Sequence, residues 1–427
     1  MNGVPPLLGR SLASRLGNAV LDELHRAHGP AYYLFDEERL LKNVSDLHKA
    51  FVDIYPRTRI VHSFKTNYVP AVIRAMVAAD VLPEVVSEME YDLALRMGMQ
   101  PSSIIMNGPV KRSSLLERAL LDGALANMDS LQEVDRVVRI ATRHPEQPLR
   151  VGLRCNIPLP GLGRSRFGLD AENGDLSEAA RRLRTCANIV LEGLHCHIGG
   201  DRSAASYGLR TARLIELSDG LFTQRPPYWI DIGGGLAGRM PDELRAQFKP
   251  PPPSYGDYAD AVAGLMRERY GEGADAPELI LEPGMGLLSD TFEFVCRVEA
   301  TKVVGGAHHA ITAGSIYNVK PTLNKFDLPV DVVHATPAPL PERNWTVSGF
   351  TCMEIDVMHN GLRTGLAVGD DVVFMNAGAY TVVLIPPFIS TAPAIITVHA
   401  GGRLSIARRA ETLDDVLRTY YTTEAPA

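Results

Sequence analysis

Between residues 60 and 282, short apolar runs alternate with amphipathic ones, and this rhythm limits the possible folds more than any single motif does. Eight runs read as strands: residues 60–64, 84–87, 104–107, 124–128, 150–155, 190–195, 228–232 and 278–282. Between them lie helical patterns such as 88–97, 112–121, 131–143, 176–185, 204–217 and 258–270. Eight such alternations over about 250 residues predict a (β/α)8 barrel. A doubly wound open sheet is the rival, but no GxGxxG opens its first helix. After residue 298 the pattern changes to β-runs at 298–304, 309–313, 345–349, 371–375 and 394–398, punctuated by Pro and Gly. That predicts an all-β C-terminal domain, to which a strand at 32–36 is expected to add. The expected division is a barrel over 37–297 and a β-rich domain over 1–36 and 298–427. A helix is expected near 16–26.

The composition excludes several classes of function. A net charge of -7 argues against nucleic acid or an acidic membrane as partner. The five cysteines are scattered, odd in number and form no CxxC, which suits a reducing compartment better than a disulfide framework. Residues 1–16 lack the apolar stretch of a signal peptide, and no run approaches transmembrane length. A cytoplasmic protein is expected.

Chemistry-bearing residues fall at strand ends. The first barrel run closes on Phe64-Lys65-Thr66-Asn67. A lysine at the carboxyl end of a barrel strand sits where such folds keep their chemistry, and partial desolvation there makes an amine nucleophilic. The plainer reading is a solvated lysine. The sixth run ends in His195-Cys196-His197-Ile198-Gly199-Gly200. His197 can lie against a planar ring, whereas a metal reading with His195 lacks a third ligand of convincing spacing. The seventh ends in Asp231-Ile232-Gly233-Gly234-Gly235, whose successive amides can cradle an anion. The eighth ends in Glu282-Pro283-Gly284. A buried carboxylate there needs a cationic or hydrogen-bonded partner, either a ring nitrogen or simply Arg154. An amine, a ring stack, a phosphate cradle and a carboxylate together are what pyridoxal 5'-phosphate requires.

Those motifs, with Cys352 and Gly378-Ala379-Tyr380 further on, stand in the order found in the fold-type III pyridoxal-phosphate decarboxylases. From about Tyr32 onward the chain resembles that group, which includes the diaminopimelate and ornithine decarboxylases. Ser165-Arg166-Phe167-Gly168 is similar to the family's Ser-Lys-Phe-Gly segment. The resemblance implies that Lys65 holds the cofactor as a Schiff base and that His197 stacks on its ring. It also implies that Gly233, Gly234 and Gly235 bind phosphate with Gly200 and Tyr380, and that Glu282 pairs with the ring nitrogen. Cys352, from the second subunit of a homodimer, would protonate the substrate carbon, so the active sites would be shared.

The chain departs from the family at phosphate and substrate contacts. Met285 stands where many relatives have an arginine that contacts phosphate, Cys352-Met353-Glu354 replaces Cys-Glu-Ser, and residues 315–321 replace the Arg-Pro…Tyr element that clamps the distal end of diaminopimelate. The expected substrate is therefore a diamino acid or a conjugated diamino acid, such as the citryl-diaminopropionate type of siderophore biosynthesis. Glu354 and Asp356 are candidates for a distal ammonium, and Lys111, Arg202 or Lys320 for carboxylates of a conjugate. Free diaminopimelate, lysine or ornithine is the alternative. An alanine-racemase-like enzyme would set arginine against the ring nitrogen, and Glu282 does the opposite. A non-catalytic regulator would have lost the cofactor set.

Overall fold

The computed structural model describes residues 10–336 and 339–421, and the chain divides into two compact units. One consists of Leu41–Gly238 and Pro250–Leu287. The other takes the residues up to Leu40, Arg239–Lys249, and those from Leu288 onward. The outer ends of the expected β-rich domain, residues 1–9 and 422–427, lie outside the described residues.

The first unit is a closed parallel barrel. Its eight strands are Thr58–Ser63, Leu82–Val85, Ile105–Met106, Leu125–Met128, Leu149–Asn156, Ile189–His195, Trp229–Gly234 and Glu278–Glu282. All eight expected runs are therefore strands, with ends shifted by a residue or two. The eighth strand pairs with the first, setting Leu279 opposite Thr58 and Leu281 opposite Ile60, and so closes the ring. Helices such as Glu88–Arg96, Leu131–Arg143, Ala204–Leu221 and Tyr255–Tyr270 separate the strands along the chain. Each is started by a serine N-cap or an acidic first turn, which satisfies amides that a helix leaves unpaired.

Val61, Ile105, Leu125, Trp229 and Ile280 cluster in the barrel interior. Two glycines on neighbouring strands, Gly152 and Gly193, leave the space that the Trp229 ring occupies, since a Cβ on either would overlap it. Trp229 Nε1 donates to Glu192 Oε2 at 3.2 Å, so the buried indole has its hydrogen bond. Gly152→Ala is expected to cost about 1–3 kcal/mol by overpacking, read as a lower denaturation midpoint. An unchanged midpoint would mean the interior has slack there.

The second unit holds a nine-stranded mixed sheet. Ala31–Asp36 lies inside it, antiparallel to Phe292–Val304 and parallel to Ala394–Val398. The expectation that this early strand joins the later β-runs is thus met. Ala307–Thr312, Arg343–Ser348 and Asp371–Phe374 are the other expected strands. Val330–Val333, Val357–Thr364 and Leu404–Arg408 were not foreseen. The helix expected near 16–26 is two, Leu12–Leu16 and Asn18–His28, broken at Gly17 with φ +81°. Arg239–Lys249 also belongs to this unit: Arg239 O accepts from Asn376 Nδ2 at 3.2 Å, and Phe248 stacks on Phe326 with centroids 4.3 Å apart.

Candidate active site

In the barrel, one polar side chain after another stands at or near the carboxyl end of a strand. Lys65 sits in a single 3-10 turn, Phe64–Thr66, directly after the first strand. Phe64 and Thr66 are buried, so the lysine projects alone. Its Nζ reaches Glu84 Oε2 of the second strand at 2.5 Å, where the carboxylate is fully enclosed. Asn107, just beyond the third strand, donates from Nδ2 to Glu84 Oε1 at 3.0 Å and to Glu282 Oε1 at 2.5 Å. Asn127 of the fourth strand donates to Asn107 Oδ1 at 2.8 Å. One amide thus bridges the carboxylate beside Lys65 to the carboxylate on the eighth strand.

Glu282 faces two histidines. His195 Nε2 and His197 Nδ1 each lie 3.6 Å from one of its oxygens. Burial acts against its charge, but the charge and hydrogen bonding of His195, with Lys65 beyond, hold its carboxyl well below the usual range. Burial and the Glu282 charge together push Asp231, on the seventh strand, well above its ordinary value. Of this pair, Glu282 is thus the carboxyl biased toward its anion and Asp231 the one biased toward its protonated form. The plainer partner for Glu282, Arg154, pairs instead with Asp129 at 3.0 Å.

The Gly233-Gly234-Gly235 segment is wedged between neighbours. A Cβ on Gly233 would lie 2.6 Å from Cys196 O, and one on Gly234 would overlap Glu282 O. Gly233 and Gly235 also have φ of +71° and +92°, which favour glycine. Two of the three amides already have partners: Gly233 N donates to Asp231 Oδ1 at 2.8 Å and Gly234 N to His197 Nδ1 at 2.9 Å. The second bond makes Nδ1 an acceptor, so the neutral ring carries its proton on Nε2. Burial, with Lys65 and His195 nearby, pushes the His197 pKa down and favours that neutral form. Gly200 lies three residues beyond His197 in an exposed turn.

Lys65, His197, Gly233, Gly234, Gly235 and Glu282 thus converge in the barrel as expected from sequence. Glu84, Asn107, Asn127 and Asp231 were missed. Their only signal was a polar residue at the end of an apolar run. His195, His197 and Glu282 also bring one ligand atom each within 4.8 Å of one another, the third ligand that sequence spacing did not reveal. Lys111, expected as a contact for carboxylates, is 1% exposed and paired with Glu133 at 3.0 Å.

The remaining candidates belong to the β unit. Cys352 and Glu354 are exposed on the turn between Arg343–Ser348 and Val357–Thr364. Asp356, expected to meet substrate, is instead 3% exposed and organises that turn. Its Oδ1 accepts from Ile316 N at 2.7 Å and its Oδ2 from Thr351 N at 3.0 Å, and a Cβ on Gly349 would overlap it. The carboxylate is used up holding Cys352 and Glu354 on display. Lys320 is likewise buried, with Nζ 3.2 Å from Asp327. Tyr380 is half-buried with φ +55°, in a loop where Gly378 sits so close to Leu288 O that no Cβ would fit.

The profile of the family described as "Pyridoxal-dependent decarboxylase, pyridoxal binding domain" matches residues 41–288. The chain belongs to this family and is a pyridoxal-phosphate-dependent amino-acid decarboxylase by family. It is 28% identical over 418 residues to a diaminopimelate decarboxylase of Methanothermobacter thermautotrophicus, covering 94% of each chain. It is 25% identical to one from Archaeoglobus fulgidus, over 92% of this chain and 94% of that one. A crystal structure of diaminopimelate decarboxylase from M. jannaschii with L-lysine shares the fold at TM-score 0.81 and 20% identity, covering 94% of both chains.

The barrel residues fit the family's cofactor. Buried Glu282, held toward its anionic form, suits a protonated ring nitrogen, and Lys65 at the end of the first strand is the amine that would carry the cofactor. Among the described residues, no helix is long and apolar enough to cross a membrane.

Proposed function

We propose that the chain decarboxylates a free diamino acid, with meso-diaminopimelate the first candidate, in a homodimer with shared active sites. The observation that carries the chemistry is the position of Glu282, buried at the carboxyl end of the eighth strand and facing His195, which with Lys65 biases it toward its anion. A bound pyridoxal ring protonated at nitrogen takes up the electron pair left on the α-carbon as carbon dioxide departs. Glu282 holds that ring proton. Lys65 anchors the cofactor covalently, and Glu84 is the carboxylate placed to accept the proton its ammonium must lose. His197 lies against the ring, fixed by the Gly234 amide. The glycine segment and Gly200 would hold the phosphate. Cys352 of the partner subunit delivers a proton to the α-carbon, and Glu354 beside it offers a carboxylate for the distal ammonium.

Two observations support a free diamino acid. The relatives named above as diaminopimelate decarboxylases match this chain nearly end to end. L-lysine, bound in the M. jannaschii structure, is what remains when diaminopimelate loses one carboxylate. Of the three cations considered for a conjugate, Lys111 and Lys320 are already in ion pairs. The conjugated reading keeps one supporting observation, residues 315–321 in place of the family's Arg-Pro…Tyr element.

The covalent anchor is tested by borohydride reduction of cofactor-loaded protein, digestion and mapping. The pyridoxyl adduct is expected on Lys65, and an adduct on another lysine would refute the assignment. The substrate is tested by carbon dioxide release from meso-diaminopimelate, lysine, ornithine, arginine, 2,3-diaminopropionate and citryl-diaminopropionate. Turnover confined to the citryl compound would overturn the free diamino acid in favour of the conjugate.

A further inference from the structure

Arg210, on the helix Ala204–Leu221 that follows the sixth strand, is among the largest fully buried side chains of the protein. Among the described residues it is in no ion pair with a carboxylate. Its guanidinium donates only to neutral oxygens: Nη1 to Ile198 O at 3.1 Å, Nη2 to Asp201 O at 2.8 Å and to Ser206 Oγ at 3.0 Å, and Nε to Ser206 O at 3.3 Å. The Asp201 carboxylate accepts from the Ser203 amide instead. Arg210 also lies over the Tyr207 ring, 4.0 Å from its centroid, and Tyr207 OH donates to Gly234 O at 2.6 Å.

A buried charge with no counter-charge is costly, so it calls for an anion close by. The bonds of this pair indicate where that anion lies. In a trans peptide the carbonyl and the next residue's N–H point in opposite directions. Drawing Ile198 O and Asp201 O onto Arg210 turns the amides of Gly199 and Arg202 away from it. Drawing Gly234 O onto Tyr207 does the same for the amide of Gly235. These three amides have no hydrogen bond to another described group, whereas those of Gly233 and Gly234 are taken.

We propose that Arg210 and Tyr207 are positioning residues for the cofactor's phosphate. From one helix they turn the loop after the sixth strand and the glycine segment after the seventh toward the anion, and Arg210 supplies its buried counter-charge. This rests on the reading that these two loops hold the phosphate. Within the glycine segment it assigns the anion contact to Gly235, leaving Gly233 and Gly234 to shape the loop.

The test compares pyridoxal phosphate with pyridoxal, which lacks the phosphate but can still react with Lys65. Dissociation constants of both are measured on cofactor-stripped wild type, R210M, R210K and Y207F. R210M is expected to weaken pyridoxal phosphate by roughly tenfold or more, the scale of a lost charge-assisted interaction, with pyridoxal little changed. R210K, which restores the charge, should recover part of the difference. Y207F keeps the ring under Arg210 and should lower the ratio by a smaller factor, and it carries the test if R210M does not fold. Equal weakening of both ligands, or an unchanged ratio, would overturn the proposal and leave Arg210 a purely structural residue. Wild type that does not distinguish the two ligands would instead remove the phosphate reading beneath it.

Discussion

Glu282→Gln is expected to lower carbon dioxide release by on the order of 10²-fold to 10³-fold under saturating cofactor, the scale at which one preorganised electrostatic contact is lost. The substitution keeps the shape of the side chain. Its amide oxygen can still accept from Asn107 Nδ2, which reaches Glu282 Oε1 at 2.5 Å, so the barrel interior stays packed. What is lost is the negative charge. A neutral amide does not hold a proton on a ring nitrogen, so the ring becomes a weak acceptor for the electron pair left by decarboxylation. Asp231 sharpens the test. Burial and the charge of Glu282 push its pKa up, and removing that charge makes it easier to ionise. Residual activity in Glu282→Gln should therefore fall further in the double variant with Asp231→Asn. Wild-type turnover in the single variant would rule out the ring-nitrogen role.

The barrel was legible because strands buried on both faces of a parallel sheet read as continuous apolar runs, each ended by turn residues. Lys65, His197, the three glycines and Glu282 were legible for a related reason. Each ends such a run, and barrel folds gather strand ends at one mouth. Glu84, Asn107 and Asn127 also sit at strand ends, but nothing local marks them. Asn107 matters because closure of the ring brings it between Glu84 and Glu282, partners 23 and 175 residues away. Charge burial was equally invisible. Glu354 and Asp356 look alike in sequence, yet one is exposed and the other is enclosed by backbone amides. Lys111 looked available, and Glu133, 22 residues on, holds it. In the β unit, Val357–Thr364 was missed because it is largely solvent-facing and interrupted by Gly361 with φ +74°. The transfer of Arg239–Lys249 to that unit leaves no periodic trace, though the prolines at 250–253 mark the return.

Mixing Lys65→Ala with Cys352→Ala is expected to restore activity that neither protein has alone to a useful degree. Lys65→Ala removes the amine that anchors the cofactor, so essentially no turnover should remain. Cys352→Ala leaves that anchor intact and removes the proposed proton donor, so it should slow product formation while the bound cofactor keeps its absorbance. Cys352 is suited to reaching outward. It is exposed on a turn that Asp356 braces through the amides of Ile316 and Thr351. In a shared site, each heterodimer contains one pocket with both residues and one with neither. Random exchange at equal amounts makes half the dimers mixed, so recovery should approach about one quarter of the wild-type value. The experiment separates the shared site from a site complete within one chain. In the second case every pocket of the mixture lacks one of the two residues, and subunit exchange adds nothing. Verified heterodimers without recovery would therefore place Cys352 and Lys65 of the same chain in one site, or take Cys352 out of the chemistry. Asp356→Ala offers an independent check, since it frees the turn without touching the thiol. It should lower kcat in the same direction as Cys352→Ala while the bound cofactor keeps its absorbance, because Lys65 and Glu282 lie in the barrel.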